Sequence, residues 1–298
     1  MNFGGADIST ILIDRWGRTF PRPIWSRYSQ MAKEQGFDRL YLLLSFDCDT
    51  PEDAQAAAVL DEKLKRLGIR RSYAVPGTML EANPDIYRAI FSRGAEFLNH
   101  GYLPHTQLQE GVYRSTTFYA KMDPQEVIKD VENGHRTVQS VIGKKPAGFR
   151  APHFGRVPLA LQRDVIRPVL KDLGEYFSTQ TMPIESVKHG PVWWDHHWPE
   201  FPMTGQSRAP YSLLDSYSFL QSPAVRKVTS QYGAILRQTI QNLMDWNVRG
   251  LLNIYADPSH VENDTGFMEA MKMISDHGIP SLTYAQALEI DVPDTVTE

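Results

Sequence analysis

The 298-residue sequence contains one cysteine, no excess of basic charge and no long hydrophobic run. Its lone cysteine, Cys48, excludes an internal disulfide and a zinc site built on cysteines. Lys and Arg number 31 against 35 Asp and Glu, so no global positive field attracts nucleic acid or an anionic membrane surface. The longest apolar run, residues 40–46, is far shorter than the roughly 20 residues that span a bilayer. A metal site in this chain must therefore use His, Asp and Glu.

The amino-terminal residues also lack the pattern of a secretion signal. They contain no basic segment followed by an apolar stretch, and charges appear already at Asp7, Asp14 and Arg15. These features predict a soluble, cytoplasmic protein. They leave open whether it forms a homo-oligomer.

Short apolar segments alternate with longer amphipathic ones along most of the chain. Strands are predicted at residues 40–46, 71–75, 96–98, 148–150 and 251–256, and helices at 52–67, 84–92 and 123–142. Such alternation indicates parallel βαβ units, and hence an α/β barrel or a doubly wound sheet.

Two regions fit this alternation poorly. Residues 1–38 are rich in proline and aromatic residues and are predicted to form an irregular N-terminal arm packed on the domain. Residues 182–222 are predicted to be a long irregular segment, and loops of that length inside a compact domain tend to be functional. The remaining chain, residues 39–298, is predicted to be one domain.

Polar clusters follow four of the apolar segments. They are Asp47 with Asp49, His100 with His105, Arg150 with His153, and Asp257 with His260. In parallel α/β folds, functional groups collect where strands end and run into loops. We therefore expect these clusters to meet at one site.

The residue types in these clusters suit metal chemistry. Asp47 and Asp49 alternate on an extended strand and point to the same side, where two like charges need a cation or a shared proton. Two imidazoles and one carboxylate form a common site for zinc, nickel or iron that leaves positions for water and substrate. The alternatives are that the aspartates cap a turn and that the histidines are ordinary surface or core residues.

Arg150 and Pro152 have further predicted roles. An arginine at a strand end would pair with a buried carboxylate, orient it and keep it ionised, although a purely structural salt bridge is the alternative. Pro152 would fix the direction of the next backbone N–H, which suits stabilisation of an oxyanion.

Four motifs together resemble the polysaccharide deacetylase (NodB-homology) family, carbohydrate esterase family four. They are Phe46–Asp49, Asn99–Tyr102 with His105, Gly148–Pro152 and Gly278–Tyr284, and their order and spacing cover roughly residues 40–290. The first motif is most similar to the F-D-x-D branch of peptidoglycan deacetylases and allantoinase-like proteins. The resemblance implies a distorted (β/α)7-8 barrel with one divalent metal, zinc before nickel, cobalt, iron or manganese. It also implies removal of an N-acetyl group from an amino sugar or glycan precursor, in surface-polysaccharide or cell-envelope metabolism.

The resemblance also implies roles for individual residues. Asp47 resembles the general base, Asp49, His100 and His105 the metal ligands, Arg150 the residue that holds the base, and His153 the donor to the oxyanion. The segment Pro199–Pro202, after Trp193–Asp195, resembles the family's fourth motif, so Glu200 is predicted to lie near the substrate. Tyr102 and Trp194 are aromatic residues near the motifs that are candidates to stack on sugar rings, with packing in the core as the alternative.

Two departures from the family pattern matter. His100 and His105 stand five apart instead of four, so either the loop bulges or the second ligand differs. Asp257 stands where the family has its acid histidine, and His260 follows three residues later. His260 is therefore the predicted acid, with Asp257 orienting it or taking its place. The alternative functions are hydrolysis of a linear or cyclic non-sugar amide, as in allantoinase-like proteins, and non-catalytic glycan binding. Cys48, between the two aspartates, is expected to point into the barrel wall as a packing residue.

Overall fold

The structure, a computed structural model, describes residues 15–222 and 224–290. The first fourteen residues of the predicted N-terminal arm and the last eight of the predicted domain lie outside the described residues. Within the described part every helix is too short or too polar to cross a membrane.

Strands and helices alternate along the chain. The strands are β1 (Leu40–Asp47), β2 (Ser72–Val75), β3 (Glu96–Asn99), β4 (Thr106–Gln109), β5 (Val112–Ser115), β6 (Gly148–Arg150), β7 (Phe177–Thr179), β8 (Trp193–Asp195), β9 (Trp198–Glu200), β10 (Gly205–Gln206), β11 (Ala209–Leu213), β12 (Leu220–Ser222), β13 (Val225–Val228), β14 (Gly250–Ala256) and β15 (Ser281–Leu282). The helices are α1 (Pro21–Glu34), α2 (Pro51–Arg66), α3 (Gly77–Ala82), α4 (Pro84–Ser92), α5 (Pro124–Ile142), α6 (Leu159–Leu161), α7 (Arg167–Leu173), α8 (Pro183–His189), α9 (Ser230–Asp245), α10 (Pro258–Val261), α11 (Thr265–Asp276) and α12 (Tyr284–Ile290). A π-type turn, Gln162–Ile166, joins α6 to α7.

The central sheet has the predicted α/β architecture. Strands β14, β1, β2, β3, β6, β7 and β9 lie side by side and run parallel, and β8 is antiparallel at one edge. The edges are connected by the chain after β9: Met203 N donates to Thr181 O at 3.1 Å, and Thr204 N donates to Asn253 O on β14 at 2.8 Å. These two bonds bring the chain after β9 to both ends of the parallel sheet, as in the distorted barrel that the sequence predicts.

Local sequence signals explain where the main helices begin and end. Helix α2 begins with a reciprocal capping box between Thr50 and Asp53, and α5 begins with the Asp123 side chain accepting from Gln125 N. Gly143 ends α5 with a φ of 79°, a left-handed conformation that glycine adopts at low cost. Because β1, β2 and β3 run parallel, the loops that follow β1 and β3 lie at one end of the sheet.

The central strands of the barrel wall are buried on both faces. Every residue of β14 is buried, and so is nearly every residue of β1, as expected for parallel strands covered by helices. Cys48 is fully buried in the main hydrophobic core, as predicted.

The two segments that fit the alternation poorly are more regular than expected. Part of the predicted irregular arm is the helix α1, whose Tyr28 hydroxyl donates to Leu251 O at 2.8 Å and so docks the helix on β14. Trp25 is also fully buried, and its Nε1 donates to Ser207 O. The predicted long loop contains α8 and short hairpins, and two of its strands, β8 and β9, belong to the central sheet.

Candidate metal centre and active site

The four predicted clusters all lie at the carboxyl ends of parallel strands. Asp47 is the last residue of β1 and Arg150 the last of β6, while His100 directly follows β3 and Asp257 directly follows β14. Because these strands are parallel members of one sheet, their ends lie at the same end of the barrel.

Asp49, His100 and His105 converge on a common point. Asp49 Oδ1 is 3.3 Å from His105 Nδ1 and 3.6 Å from His100 Nε2. One potential ligand atom from each of the three residues lies within 4.8 Å of the other two. The imidazole rings are 4.2 Å apart and nearly perpendicular. The five-residue spacing therefore still brings both histidines to the same carboxylate.

The protonation of this cluster suits a cation. His100 Nδ1 lies 2.7 Å from Arg150 O, which can only accept, so Nδ1 carries the proton and Nε2 keeps its lone pair. Burial lowers the pKa of His100 well below its usual value, and His105 lowers it further. Burial raises the pKa of Asp49, but His105 and His100 outweigh this effect and hold the pKa below its usual value. His100 is therefore a neutral imidazole beside the ionised carboxylate of Asp49.

Unpartnered buried atoms test whether a metal fits. Asp49 Oδ1 and both ring nitrogens of His105 are buried and have no hydrogen-bond partner among the residues that the structure describes. Buried polar atoms without a partner are costly and rare. Two nitrogens and one carboxylate oxygen form a donor set that zinc and its neighbours in the first transition series accept. These three residues therefore fit a divalent metal.

A buried ion pair lies next to the three candidate ligands. Arg150 Nη1 donates to Asp47 Oδ1 at 2.7 Å. Burial raises the pKa of Asp47 to about 7, although the positive charge of Arg150 opposes the rise. A carboxyl group with a pKa near neutrality can accept a proton and release it again, as a general base must.

Arg150 is held rigidly from several sides. Its Nη2 donates at 2.7 Å to the hydroxyls of Ser45 and Tyr284, and Tyr284 belongs to the last predicted motif. The guanidinium also faces the ring of Phe154 at 4.8 Å, and Phe154 stacks on Tyr255. The whole arginine side chain is buried, so its contact with Asp47 has one orientation.

The side chain of His153 faces the segment that follows the hairpin β4–β5. Its Nε2 lies 2.6 Å from Thr116 O, to which it donates, and its ring stacks on Phe118. Burial lowers the pKa of His153, which favours the neutral ring. The φ of this residue is 58°, an uncommon value outside glycine that fixes the direction of the backbone at this turn.

Asp257 and His260 lie together in the turn after β14. Asp257 Oδ2 is 3.4 Å from His260 Nε2, a buried atom with no hydrogen-bond partner in the described part of the chain. Ser216 Oγ accepts from Asp257 N at 2.9 Å and lies 3.1 Å from His260 Nδ1. Burial lowers the pKa of His260 to about 3, and it raises that of Asp257 well above its usual value, as do Asp53 and Asp49. This pair can therefore hold a proton that it shares.

Arg226 links this turn to helix α2. Its Nη2 donates to both carboxylate oxygens of Asp53 at 2.9 Å, and its Nε donates to Ser259 Oγ at 2.9 Å. It also lies 3.9 Å from Asp257 Oδ2 and packs over the ring of Tyr113 on β5. The hairpins β4–β5 and β12–β13 therefore meet beside Asp53 and Asp257.

The three predicted substrate contacts have different surroundings. Tyr102 donates its hydroxyl to Glu81 at an exposed position, and Trp194 on β8 is partly buried against a small core cluster. Glu200 is fully buried: Oε1 accepts from Gln180 N and Thr181 N, and Ser178 donates to Oε2. This geometry favours a structural role for Glu200, while substrate contact by Tyr102 and Trp194 stays a prediction.

Sequence reasoning missed several buried residues that support the site. Asp53, Asn99, Asp130, Ser216 and the half-buried Arg226 bond to a residue of the four clusters or to the loops that carry them, and Glu175 bonds to Asn99. One signal was available in the pattern of α5, where Asp130 and Gly134 interrupt a stripe of buried valines. A carboxylate in an apolar stripe needs a partner, because it is costly to bury alone.

The chain is similar to known proteins in sequence and in fold. Residues 35–174 match the family model described as polysaccharide deacetylase. No curated protein sequence matches the chain. The family match contains the clusters from Asp47 to His153 and ends before Asp257 and His260.

Solved structures share the fold of nearly the whole chain. A putative polysaccharide deacetylase from Mycobacterium smegmatis has a TM-score of 0.62 and 15% identity, over 88% of this chain and 95% of that one. A CE4 family pseudoenzyme from Bacillus anthracis has a TM-score of 0.53 and 11% identity, over 86% and 68%. A mutant of a peptidoglycan deacetylase from Bacillus subtilis has a TM-score of 0.50 and 14% identity, over 85% and 92%. At these identities the likeness concerns the fold.

Proposed function

Because residues 35–174 match the polysaccharide deacetylase family model, we propose that the protein is a metal-dependent hydrolase that removes acetyl groups from N-acetylated amino sugars of a glycan or its precursor. The observation that carries this proposal is the buried Asp47–Arg150 pair next to the convergent Asp49, His100 and His105. The family match supports deacetylation, and the cluster supports a divalent metal, for which zinc is our choice.

The residues that would hold the metal are Asp49, His100 and His105. The chemistry that a divalent ion supplies when bound is polarisation of an amide carbonyl and a lowered pKa of water, from about 16 towards 7. An amide is resistant to hydrolysis, so both the carbonyl group and the attacking water must be activated.

Asp47 acts as the general base in this proposal. Arg150 occupies its Oδ1, so the second oxygen takes the proton of the attacking water. Arg150 itself is held by two hydroxyls and three aromatic rings, so it orients the base without moving during the reaction. General base catalysis of this kind contributes on the order of 10² to 10⁴ to the rate.

The oxyanion and the leaving amine also need groups that donate a hydrogen bond or a proton to them. We assign the backbone N–H of His153 to the oxyanion, because the positive φ and the stack on Phe118 fix that turn. We assign the proton for the leaving amine to His260 and Asp257, which lie 3.4 Å apart and can share it. Tyr102 and Trp194 are proposed to stack on sugar rings.

A non-catalytic glycan-binding protein is the second candidate. It is favoured by the departure at the end of β14, where Asp257 replaces the expected histidine and His260 is displaced into the next turn. Such a protein would keep the barrel and lose turnover. The same experiment also tests for hydrolysis of a cyclic or linear non-sugar amide.

The test measures product release. The purified protein, loaded with Zn²⁺, is incubated with N-acetylated chitooligosaccharides and peptidoglycan fragments, and acetate is quantified; allantoin ring opening is measured in parallel. We expect acetate from at least one glycan, and its loss in Asp47→Asn, which keeps the size of the side chain. Folded, metal-loaded protein that releases no acetate from any of these substrates would refute the deacetylase proposal.

A further inference from the structure

Residues 100–105, the histidine loop, are attached to helix α5 by one carboxylate. Tyr102 N and Leu103 N donate to Asp130 Oδ1 at 3.1 and 2.7 Å. The second oxygen, Oδ2, accepts from the Tyr119 hydroxyl at 2.5 Å. Asp130 is only 3% exposed, so these bonds are made in a poorly hydrated environment, where charge-assisted hydrogen bonds are strong.

Helix α5 also approaches the backbone of the histidine loop closely. A Cβ on Gly134, one turn after Asp130, would lie 2.5 Å from the carbonyl carbon of Gly101 and 2.4 Å from Asn99 Oδ1. Gly101 has a φ of 72°, and a Cβ there would lie 2.4 Å from Asp130 Oδ2. Two glycines thus allow the helix and the loop to touch at the place where the carboxylate binds.

The opposite side of the histidine loop is bonded to the start of α3. Gly77 N donates to Gly101 O, and Thr78 N donates to Tyr102 O, both at 3.0 Å. The backbone of residues 101–103 therefore has hydrogen-bond partners on two sides, and its position is set by α3 and α5 together. His100 lies before this pinned segment and His105 two residues after it.

We propose that Asp130 is a positioning residue that sets the affinity of the site for its metal, by fixing the histidine loop so that His105 faces Asp49. His100 and His105 stand five residues apart, one more than in the family that the sequence resembles. The length of the loop therefore does not fix its path, and contacts outside the loop must do so. Asp130 does this through two consecutive backbone N–H groups. The inference rests on the proposed metal site, and it concerns affinity and not turnover.

The test is the affinity for Zn²⁺, measured by competition with a chromophoric chelator at neutral pH. Asp130→Ala removes both bonds to the loop, and we expect it to weaken Zn²⁺ binding by about 10- to 100-fold, the usual cost of losing an outer-shell partner. Asp130→Asn keeps an oxygen that accepts from both N–H groups and an amide that can donate to the Tyr119 oxygen. We therefore expect Asn to restore the affinity to within about threefold of wild type.

Asp215→Ala is the matched control. Asp215 is equally buried and accepts from Ser218 N and the Tyr255 hydroxyl, but it makes no bond to the histidine loop. Its variant should lose stability and keep its Zn²⁺ affinity. Wild-type affinity in folded Asp130→Ala, or an equal loss in Asp215→Ala, would overturn the proposal.

Two further outcomes are distinguishable. If Asp130→Ala does not fold, Gly134→Ala tests the same contact, since its methyl group displaces the loop while alanine favours the helix. We expect at least a tenfold loss of affinity there, and wild-type affinity in folded Gly134→Ala would overturn the inference.

If the wild type itself binds no Zn²⁺, or if His100→Ala binds as tightly as wild type, the proposed metal site fails instead.

Discussion

The candidate site has two halves that are built differently. In the ligand half, Asp49, His100 and His105 follow strands β1 and β3, and the support of the histidine loop comes from α5 and the backbone. In the acid half, Asp257 and His260 share one short turn. The partners of that turn, Ser216 and Arg226, come from the segments around the hairpin β12–β13.

This difference separates binding from turnover. The unpartnered atoms of the ligand half converge on one point, as a cation requires, whereas the acid half brings Asp257 Oδ2 to within 3.4 Å of His260 Nε2. The match to the family model also includes the first half and excludes the second. We therefore expect variants of the ligand half to lose metal, and variants of the acid half to keep metal and lose rate.

The largest effect is expected for His100→Ala. This change removes a proposed imidazole ligand and the bond to Arg150 O, so Zn²⁺ affinity should fall by more than the roughly 100-fold that an outer-shell change costs. Deacetylation should fall with it. Chelator competition and acetate release measure the two quantities, and a variant with normal affinity would break the distinction between the halves.

In both halves the candidate residues were predictable from sequence, and the buried residues that support them were not. Asp49, His100 and His105 each follow an apolar strand pattern, so strand order alone places them at one end of the barrel. The partners of Asp130 and Glu175 depend on how α5 and the chain after α7 pack in three dimensions, and no local pattern states that packing. For the same reason α1 was missed: its buried aromatic face is defined by contact with β14, more than 200 residues away.

The second prediction concerns His260→Ala in the acid half. Removing the proposed proton donor should lower the rate of acetate release by about 10² to 10⁴, the range of general acid catalysis. Zn²⁺ affinity should stay within about threefold of wild type. Asp257→Asn sharpens this result: an equal loss would show that the two residues act as one unit, and an unchanged rate would leave the role to His260 alone.

A smaller effect is expected for Ser216→Ala. Ser216 Oγ contacts His260 Nδ1 and accepts from Asp257 N, so its loss loosens the acid half without removing either titratable group. A net hydrogen bond contributes about 0.5 to 1.5 kcal/mol, which corresponds to a rate loss of up to about tenfold. The pH profile of the rate should shift as well. A full rate with an unshifted profile would show that Ser216 does not position His260.

The smallest effect on turnover, and a specific effect on stability, is expected for Glu175→Gln behind the ligand half. Glu175 Oε1 accepts from Asn99 Nδ2 at 2.8 Å and from His135 Nδ1 at 2.7 Å, and Asn99 in turn accepts from Gly101 N in the histidine loop. Burial raises the pKa of Glu175 to about 7, although the bond from His135 opposes the rise.

The direction of the pH effect follows from that raised pKa. The folded protein binds this proton more tightly than the unfolded chain, so the stabilisation is complete below about pH 4.5 and is lost as the pH rises through about 7. Between these limits the wild type should lose on the order of 3 kcal/mol more free energy of unfolding than Glu175→Gln, whose amide does not titrate. Urea unfolding of the metal-free proteins at several pH values measures the difference. Parallel curves would mean that Glu175 stays ionised in the folded state and that burial does not raise its pKa.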